Sequence, residues 1–121
     1  MSSNPYISVC VPAYEMGGRG CEFLDHSLKV LSDQDFQNFE VVVADQSEDN
    51  AIKNLCDDYS GLNVRHIPTS HLKRQASANT NAAIDNSCGA VIKVLFQDDF
   101  LNGRDALAKI ANAFEDPKVS W

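Results

Sequence analysis

Three stretches of this 121-residue chain finish on side chains able to do chemistry: Pro12-Ala13-Tyr14-Glu15, Asp45 with Ser47 just after it, and Gln97-Asp98-Asp99. Carboxylates gathered in one place repel each other, and a divalent cation such as Mg²⁺ or Mn²⁺ removes that repulsion. Such a cation is satisfied by one or two carboxylates together with phosphate oxygens from a bound molecule. The plainer reading is that each acid caps the helix after it, because Asp is favoured at helix N-termini. For Asp49 the cap is the better account. For Asp98 the ligand role is preferred, since two adjacent acids exceed what one cap requires.

Other chemically able residues carry less. Gly17-Gly18-Arg19-Gly20 has neither the Lys-Ser/Thr ending nor the glycine spacing of a phosphate or dinucleotide loop, so it reads as a flexible connection. His66 and His71 show no partner in the sequence, and a lone His is more often structural than catalytic. Cys10, Cys21, Cys56 and Cys88 form no C-x-x-C pair, which argues against zinc. Cys10 in an apolar run and Cys56 on an apolar stripe read as small buried thiols of a reducing compartment.

The charge of -7, from 17 carboxylates against 10 Lys and Arg, argues against a nucleic-acid partner, which needs a basic face. It suits a site that recruits a cation, although much of it can serve solubility alone. No apolar run approaches the roughly 18 residues of a membrane span, and Met1-Ser2-Ser3-Asn4-Pro5 does not resemble a secretion signal. A soluble, cytoplasmic protein with no membrane span is expected, and its length fits one domain.

The elements that must position these residues follow from periodicity. Ile7-Ser8-Val9-Cys10-Val11 is β-rich and is expected to end at Pro12. Phe23, Leu24, Leu28 and Leu31 recur at helical spacing. Glu40 to Asp45 is a nearly unbroken apolar run, the pattern of a parallel strand covered on both faces. Ile52, Leu55, Cys56 and Tyr59 mark a second helix, for which Ser47, Asp49 or Asn50 can serve as cap. Val64 to Ile67, closed by Pro68, reads as a short strand near an edge. Ala76 to Asn86 is the next helix, with Gly89 expected to end it in a left-handed conformation. Val91 to Phe96 is a further strand. Asn102 as N-cap, then Leu107, Ile110, Ala111 and Phe114, outline a last helix stopped by Pro117. Val119-Ser120-Trp121 looks like the start of another strand.

Strand and helix alternate throughout, which implies an α/β, Rossmann-like, mostly parallel sheet with helices on both faces. In such sheets ligands sit beyond the carboxyl ends of the strands, where strand order reverses. With order 3-2-1-4, Asp45 and Asp98-Asp99 converge on one crevice across the first strand.

The series Ser8 to Glu15, Phe39 to Ser47, Ala78-Asn79-Thr80-Asn81-Ala82-Ala83-Ile84 and Gly89 to Asp99 resembles the N-terminal half of family 2 glycosyltransferases of the GT-A fold. The resemblance runs from about Ile7 to Trp121. It implies that Pro12, Ala13, Tyr14 and Glu15 help to hold a nucleotide's base and ribose, and that Asp45, with Ser47 beside it, meets the base, usually uracil. It places Asp98 as the metal-binding acid of a D-x-D signature, with Gln97 and Asp99 beside it. Phe96 stands where the first acid of that signature is expected, and Asp99 either substitutes for it as ribose contact or second metal ligand, or turns away and caps the last helix. Asn81 matches an Asn of the family, whereas Thr80 and Ala83 stand where an Arg and a Gly are usual. Arg74 or Lys73 can supply the missing positive charge to the diphosphate.

The resemblance further implies a metal-dependent (Mn²⁺ or Mg²⁺), inverting transfer of a sugar from a nucleoside-diphosphate donor, a UDP-sugar first, to an acceptor hydroxyl of unknown identity. The carboxylate base of that reaction is expected beyond Trp121, so residues 1–121 are expected to be the donor-binding half of a truncated GT-A domain without its acceptor half. A catalytically incomplete binding or interaction module is the rival. Another nucleotide-binding α/β protein, such as a nucleotidyltransferase or a Rossmann dehydrogenase, has less support without a glycine fingerprint. An unfinished sheet leaves an exposed edge, for which pairing into a homodimer is one outcome.

Overall fold

A computed structural model describes residues 5–14, 19–47, 49–59, 61–69, 76–95 and 103–115. Strands and helices alternate: β1 (Ile7–Ala13), α1 (Arg19–Ser32), β2 (Phe39–Asp45), α2 (Ala51–Asp57), β3 (Val64–Pro68), α3 (Ala76–Asp85), β4 (Val91–Val94) and α4 (Ala106–Glu115). The strands form one sheet in the order β3-β2-β1-β4, with every pairing parallel. This is the Rossmann-like arrangement of the GT-A type that the apolar runs and the resemblance anticipate.

Strand parity sorts the core into two layers. Val9 and Val11 of β1, with Val41 and Val43 of β2, face Leu24, Leu28 and Leu31 of α1, Ile52 and Cys56 of α2, and Leu107 and Ala111 of α4. The alternate residues Cys10, Val42 and Ala44 face Ala83 and Ile84 of α3. All seven residues of β2 are buried, as expected of a central strand covered on both sides. Each fully buried Leu contributes about 1.5–3 kcal/mol.

Several boundaries depart from expectation for physical reasons. Pro12 does not end β1, which runs on to Ala13 and pairs Pro12 with Ala44. Along β1 the backbone groups of Tyr6 and Cys10 point to β4, accepting from Val91 and Leu95, whereas Ala13 points to the β2 side and accepts from Gln46. By alternation the N–H that Pro12 lacks would point to the β4 side, past the last β1–β4 pair at Cys10 and Val94, where the ladder asks for no donor.

Gly89 also differs from its expected role. Its φ is not in the left-handed region, which among described glycines belongs to Gly103 alone. What it provides is closeness: a Cβ there would lie 2.6 Å from both the amide nitrogen and the hydroxyl of Ser8. At α2 the Asp49 carboxylate accepts from Ala51 N–H at 3.2 Å, and Asn50, the residue at the cap position, makes no side-chain cap bond. The start of α4 is held by a residue far away in sequence, the buried Gln34, which accepts from Leu107 N–H at 3.1 Å and donates to Gly103 O at 2.8 Å. Asn102, expected to cap α4, lies outside the described residues, as do Phe96 and the segment 116–121.

Candidate functional site

The carboxyl ends of β1 and β2 lie side by side, with Ala13 paired to Asp45 and Gln46 N–H donating to Ala13 O at 3.0 Å. This register sets Asp45 beside Ala13, at the end of β1 from which the chain runs on to Tyr14. Ala13 is buried, and Pro12 and Tyr14 are half-buried. On the other side of β1, Leu95 N–H donates to Cys10 O, so the chain leaves β4 at the same end of the sheet. Three residues further along is Asp98.

Asp45 is 2% exposed. Ser47 N–H donates to its Oδ1 at 2.8 Å, an Asx-type bond that turns the chain out of the strand. His66 Nε2 lies 2.8 Å from Oδ2. His66 therefore has the partner that its sequence neighbourhood did not reveal. Register explains the meeting: Val43 pairs with His66 and Asp45 with Pro68, so both side chains fall on the α2 face of adjacent parallel strands.

The backbone under Asp45 is braced from the opposite face. Asn79 Nδ2 donates to Ala44 O at 2.9 Å, the Thr69 hydroxyl donates to Asn79 Oδ1, and Thr69 N–H donates to Asp45 O at 2.8 Å. Asn79 and Thr69 are both buried. Asn81, the α3 residue singled out from sequence, is exposed and lines a groove of about 470 Å³ with Ile67, Pro68, Thr69 and Ala82 beside β3. Asn79 is thus the α3 asparagine in contact with the strand end. The signal for it was its position two residues before Asn81 in a helix packed on β2, which the sequence alone does not separate from Asn81.

Among the described residues no group of three or more His, Cys, Asp or Glu could hold a metal ion. Asp98 and Asp99, the expected metal ligands, lie outside the described residues, as do Glu15, Arg74 and Gln97. Burial, reinforced by the negative charges of Asp45 and Asp57, pushes the Cys56 thiol up to about 12. Burial likewise raises Cys10, and all four cysteines are free.

A second buried acid stands at the opposite end of β2. Glu40 accepts from the Ser8 hydroxyl and from Cys88 N–H, each at 2.6 Å, and pairs with Arg65 at 3.0 Å. Ser8 Oγ in turn accepts from Gly89 N–H at 2.7 Å. Burial alone would raise the Glu40 carboxyl, but the bonds from Ser8 and Cys88 and the Arg65 charge outweigh it and hold it below the ordinary carboxylate range. Sequence reasoning gave Glu40 no role. The available hint was a charged residue in an otherwise apolar strand.

Comparison with known proteins matches this architecture. The sequence model described as glycosyl transferase family 2 matches residues 8–120. No curated protein sequence matches significantly. Among solved structures, the mannosyltransferase PcManGT from Pyrobaculum calidifontis, in complex with GDP-Man and Mn²⁺, superposes with a TM-score of 0.79 at 23% identity, over 98% of this chain and 34% of its own. Residues 1–349 of S. aureus TarS give 0.75 at 25% identity, over 91% of this chain and 32% of TarS. A TarS complex with UDP-GlcNAc gives 0.72 at 25% identity, over 91% of this chain and 31% of that one. The chain spans about a third of the length of the structures it resembles. The match over nearly its whole length, on a parallel 3-2-1-4 sheet, shows that the chain belongs to glycosyl transferase family 2.

Proposed function

We propose that this chain is the donor-binding part of a glycosyltransferase that moves a sugar from a nucleoside diphosphate, UDP first, to an acceptor hydroxyl with inversion and with the help of Mn²⁺ or Mg²⁺. The observation that carries the reading is the buried Asp45 at the carboxyl end of β2, in register with the end of β1, the end of the sheet at which the chain also leaves β4. Uracil carries a ring N–H that needs an acceptor. A carboxylate has about four lone-pair positions. Among the described residues Ser47 and His66 engage one oxygen each, which leaves capacity for a base.

In this reading Pro12 and Ala13 at the end of β1, with Tyr14 and Glu15 after them in the sequence, hold the base and ribose, Ser47 closes the turn beside Asp45, and Asn81 and Arg74 serve the diphosphate. Asp98, with Asp99 and Gln97 beside it, holds the cation. A cation held there supplies electrostatic stabilisation of the negative charge that grows on the leaving diphosphate, a contribution of several kcal/mol of barrier. The acceptor oxygen forms its bond to the anomeric carbon from the side opposite the diphosphate, and the broken C–O bond leaves its electron pair on the diphosphate. A carboxylate outside residues 1–121 takes the hydroxyl proton.

The test is the melting temperature with UDP, with and without Mn²⁺. At UDP about a hundredfold above its Kd, a stabilisation near 2.7 kcal/mol is expected when the metal is present. It should be lost in Asp98→Asn. No metal-dependent shift at millimolar UDP would overturn the reading.

A further inference from the structure

The backbone around Asp45 is already fixed without His66. Thr69 N–H holds the Asp45 carbonyl at 2.8 Å, and Asn79 holds the Ala44 carbonyl at 2.9 Å. What those bonds do not fix is the plane of the Asp45 carboxylate. The torsion that turns a carboxylate is broad and roughly two-fold, so one hydrogen bond to one oxygen leaves considerable freedom. Among the described residues Ser47 N–H supplies such a bond, to Oδ1, and His66 Nε2 takes the other oxygen at 2.8 Å. Bonds to two different oxygens from two directions determine the plane.

We propose that His66 is the positioning residue for Asp45: by holding Oδ2, its imidazole presets the carboxylate as a fixed acceptor for the ring N–H of the donor's base, and so sets base selectivity. The proposal rests on the reading of Asp45 as the base contact. With Asp45 ionised, the contact requires His66 Nε2 to carry the hydrogen and donate it. The imidazole is anchored for this. It stands on β3 opposite Val43, on the side of the sheet covered by α2, and its side chain is only 14% exposed beside a carboxylate that is 2% exposed.

A preset acceptor separates bases in a definite way. Uracil offers N–H at ring position 3, whereas cytosine offers a bare nitrogen lone pair there, and a carboxylate that cannot turn away leaves both lone pairs facing each other. A buried site built to receive a hydrogen bond rejects the analogue lacking the donor far more strongly than a hydrophobic pocket rejects a change of size. Once the carboxylate can rotate, UDP loses part of its bond, and CDP loses nothing it had.

The experiment measures the Kd of UDP and of CDP, with Mn²⁺, for the whole chain and for His66→Leu, His66→Asn and His66→Gln by calorimetry. The unaltered chain should prefer UDP at least tenfold. His66→Leu should cut that preference by about tenfold through weaker UDP binding, the scale of one hydrogen bond, with CDP binding no weaker than before. His66→Gln, whose amide N–H reaches roughly where Nε2 stands, should restore it, and His66→Asn, one methylene shorter, should not. If His66→Leu does not fold, the Asn and Gln pair decides in the same way.

A merely structural role would weaken UDP and CDP alike, and that result, an unchanged UDP to CDP ratio, or failure of Gln to restore it overturns the proposal. Equal binding of UDP and CDP by the unaltered chain, or binding of neither, defeats the reading of Asp45 itself and takes the His66 proposal with it.

Discussion

Replacing Glu40 with Ala removes the acceptor at the centre of a cluster that joins β1, β2, β3 and the segment before β4. Two donors lose their partner inside the protein, the Ser8 hydroxyl and Cys88 N–H, each now 2.6 Å from the carboxylate. A buried donor left unsatisfied costs about 1–3 kcal/mol. Arg65 also loses its carboxylate, but its side chain is 38% exposed, so water replaces much of that interaction. A total near 3 kcal/mol is expected, at the low end of the roughly 3–5 kcal/mol for breaking a buried pair. For a domain of this size that is a fall in Tm of about 10 °C. Glu40→Gln, which keeps one carbonyl acceptor, should lose about half as much.

The pH dependence makes the reasoning sharper. Glu40 in the folded protein is held below the ordinary 4.5. A depressed carboxylate contributes stability that is complete above the unfolded value and is lost as pH falls through the folded one. The gap in stability between the unaltered protein and Glu40→Gln should therefore be widest near neutrality, begin to narrow below about pH 4.5, and close as Glu40 itself takes a proton. Urea denaturation across that range measures it. A Glu40→Ala loss under ~1 kcal/mol, or a Gln gap that stays constant into acid, would refute the account of Glu40 as a charged clamp.

Two further outcomes follow from the same geometry. Gly89→Ala puts a Cβ 2.6 Å from Ser8 N and 2.9 Å from the Ile7 carbonyl carbon, both backbone atoms, so a loss of roughly 2 kcal/mol or more in denaturant midpoint is expected, and a neutral result would show that the segment can shift freely. Gln34→Ala removes the acceptor for Leu107 N–H and the donor to Gly103 O, so α4 should lose about 1–2 kcal/mol and show faster amide exchange in its first turn while β1 and β2 keep their protection.

Fold and site were legible to different depths. Unbroken apolar runs gave β2 as a strand covered on both faces, and helical spacing gave Leu24, Leu28 and Leu31 as the buried stripe of α1, because these patterns are written locally. The 3-2-1-4 order came with the alternation of elements and the resemblance. What local pattern does not carry is pairing across the chain. Gln34 meets Leu107, Glu40 meets Cys88, and Asp45 meets His66 only after the strands are in register. Pro12 and Gly89 mislead for the same reason. A proline breaks a ladder only where a donor is wanted, and a glycine can be required by a neighbour's closeness rather than by its own φ.

The two buried acids of β2 show how one strand divides its tasks. Glu40, near the amino end, meets a hydroxyl, an amide and a guanidinium, and each of these ties another part of the chain to the strand. Asp45, at the carboxyl end, receives among the described residues one amide from its own turn and one imidazole, neither a fixed positive charge, while its backbone is braced independently through Thr69 and Asn79. A carboxylate held that way is oriented without being neutralised by a permanent cation. In a parallel sheet, ligands arrive at the carboxyl ends of strands. The acid paired with a guanidinium therefore sits where it stabilises the fold, and under the proposed function the acid with spare acceptor capacity is the one that a donor's base would use.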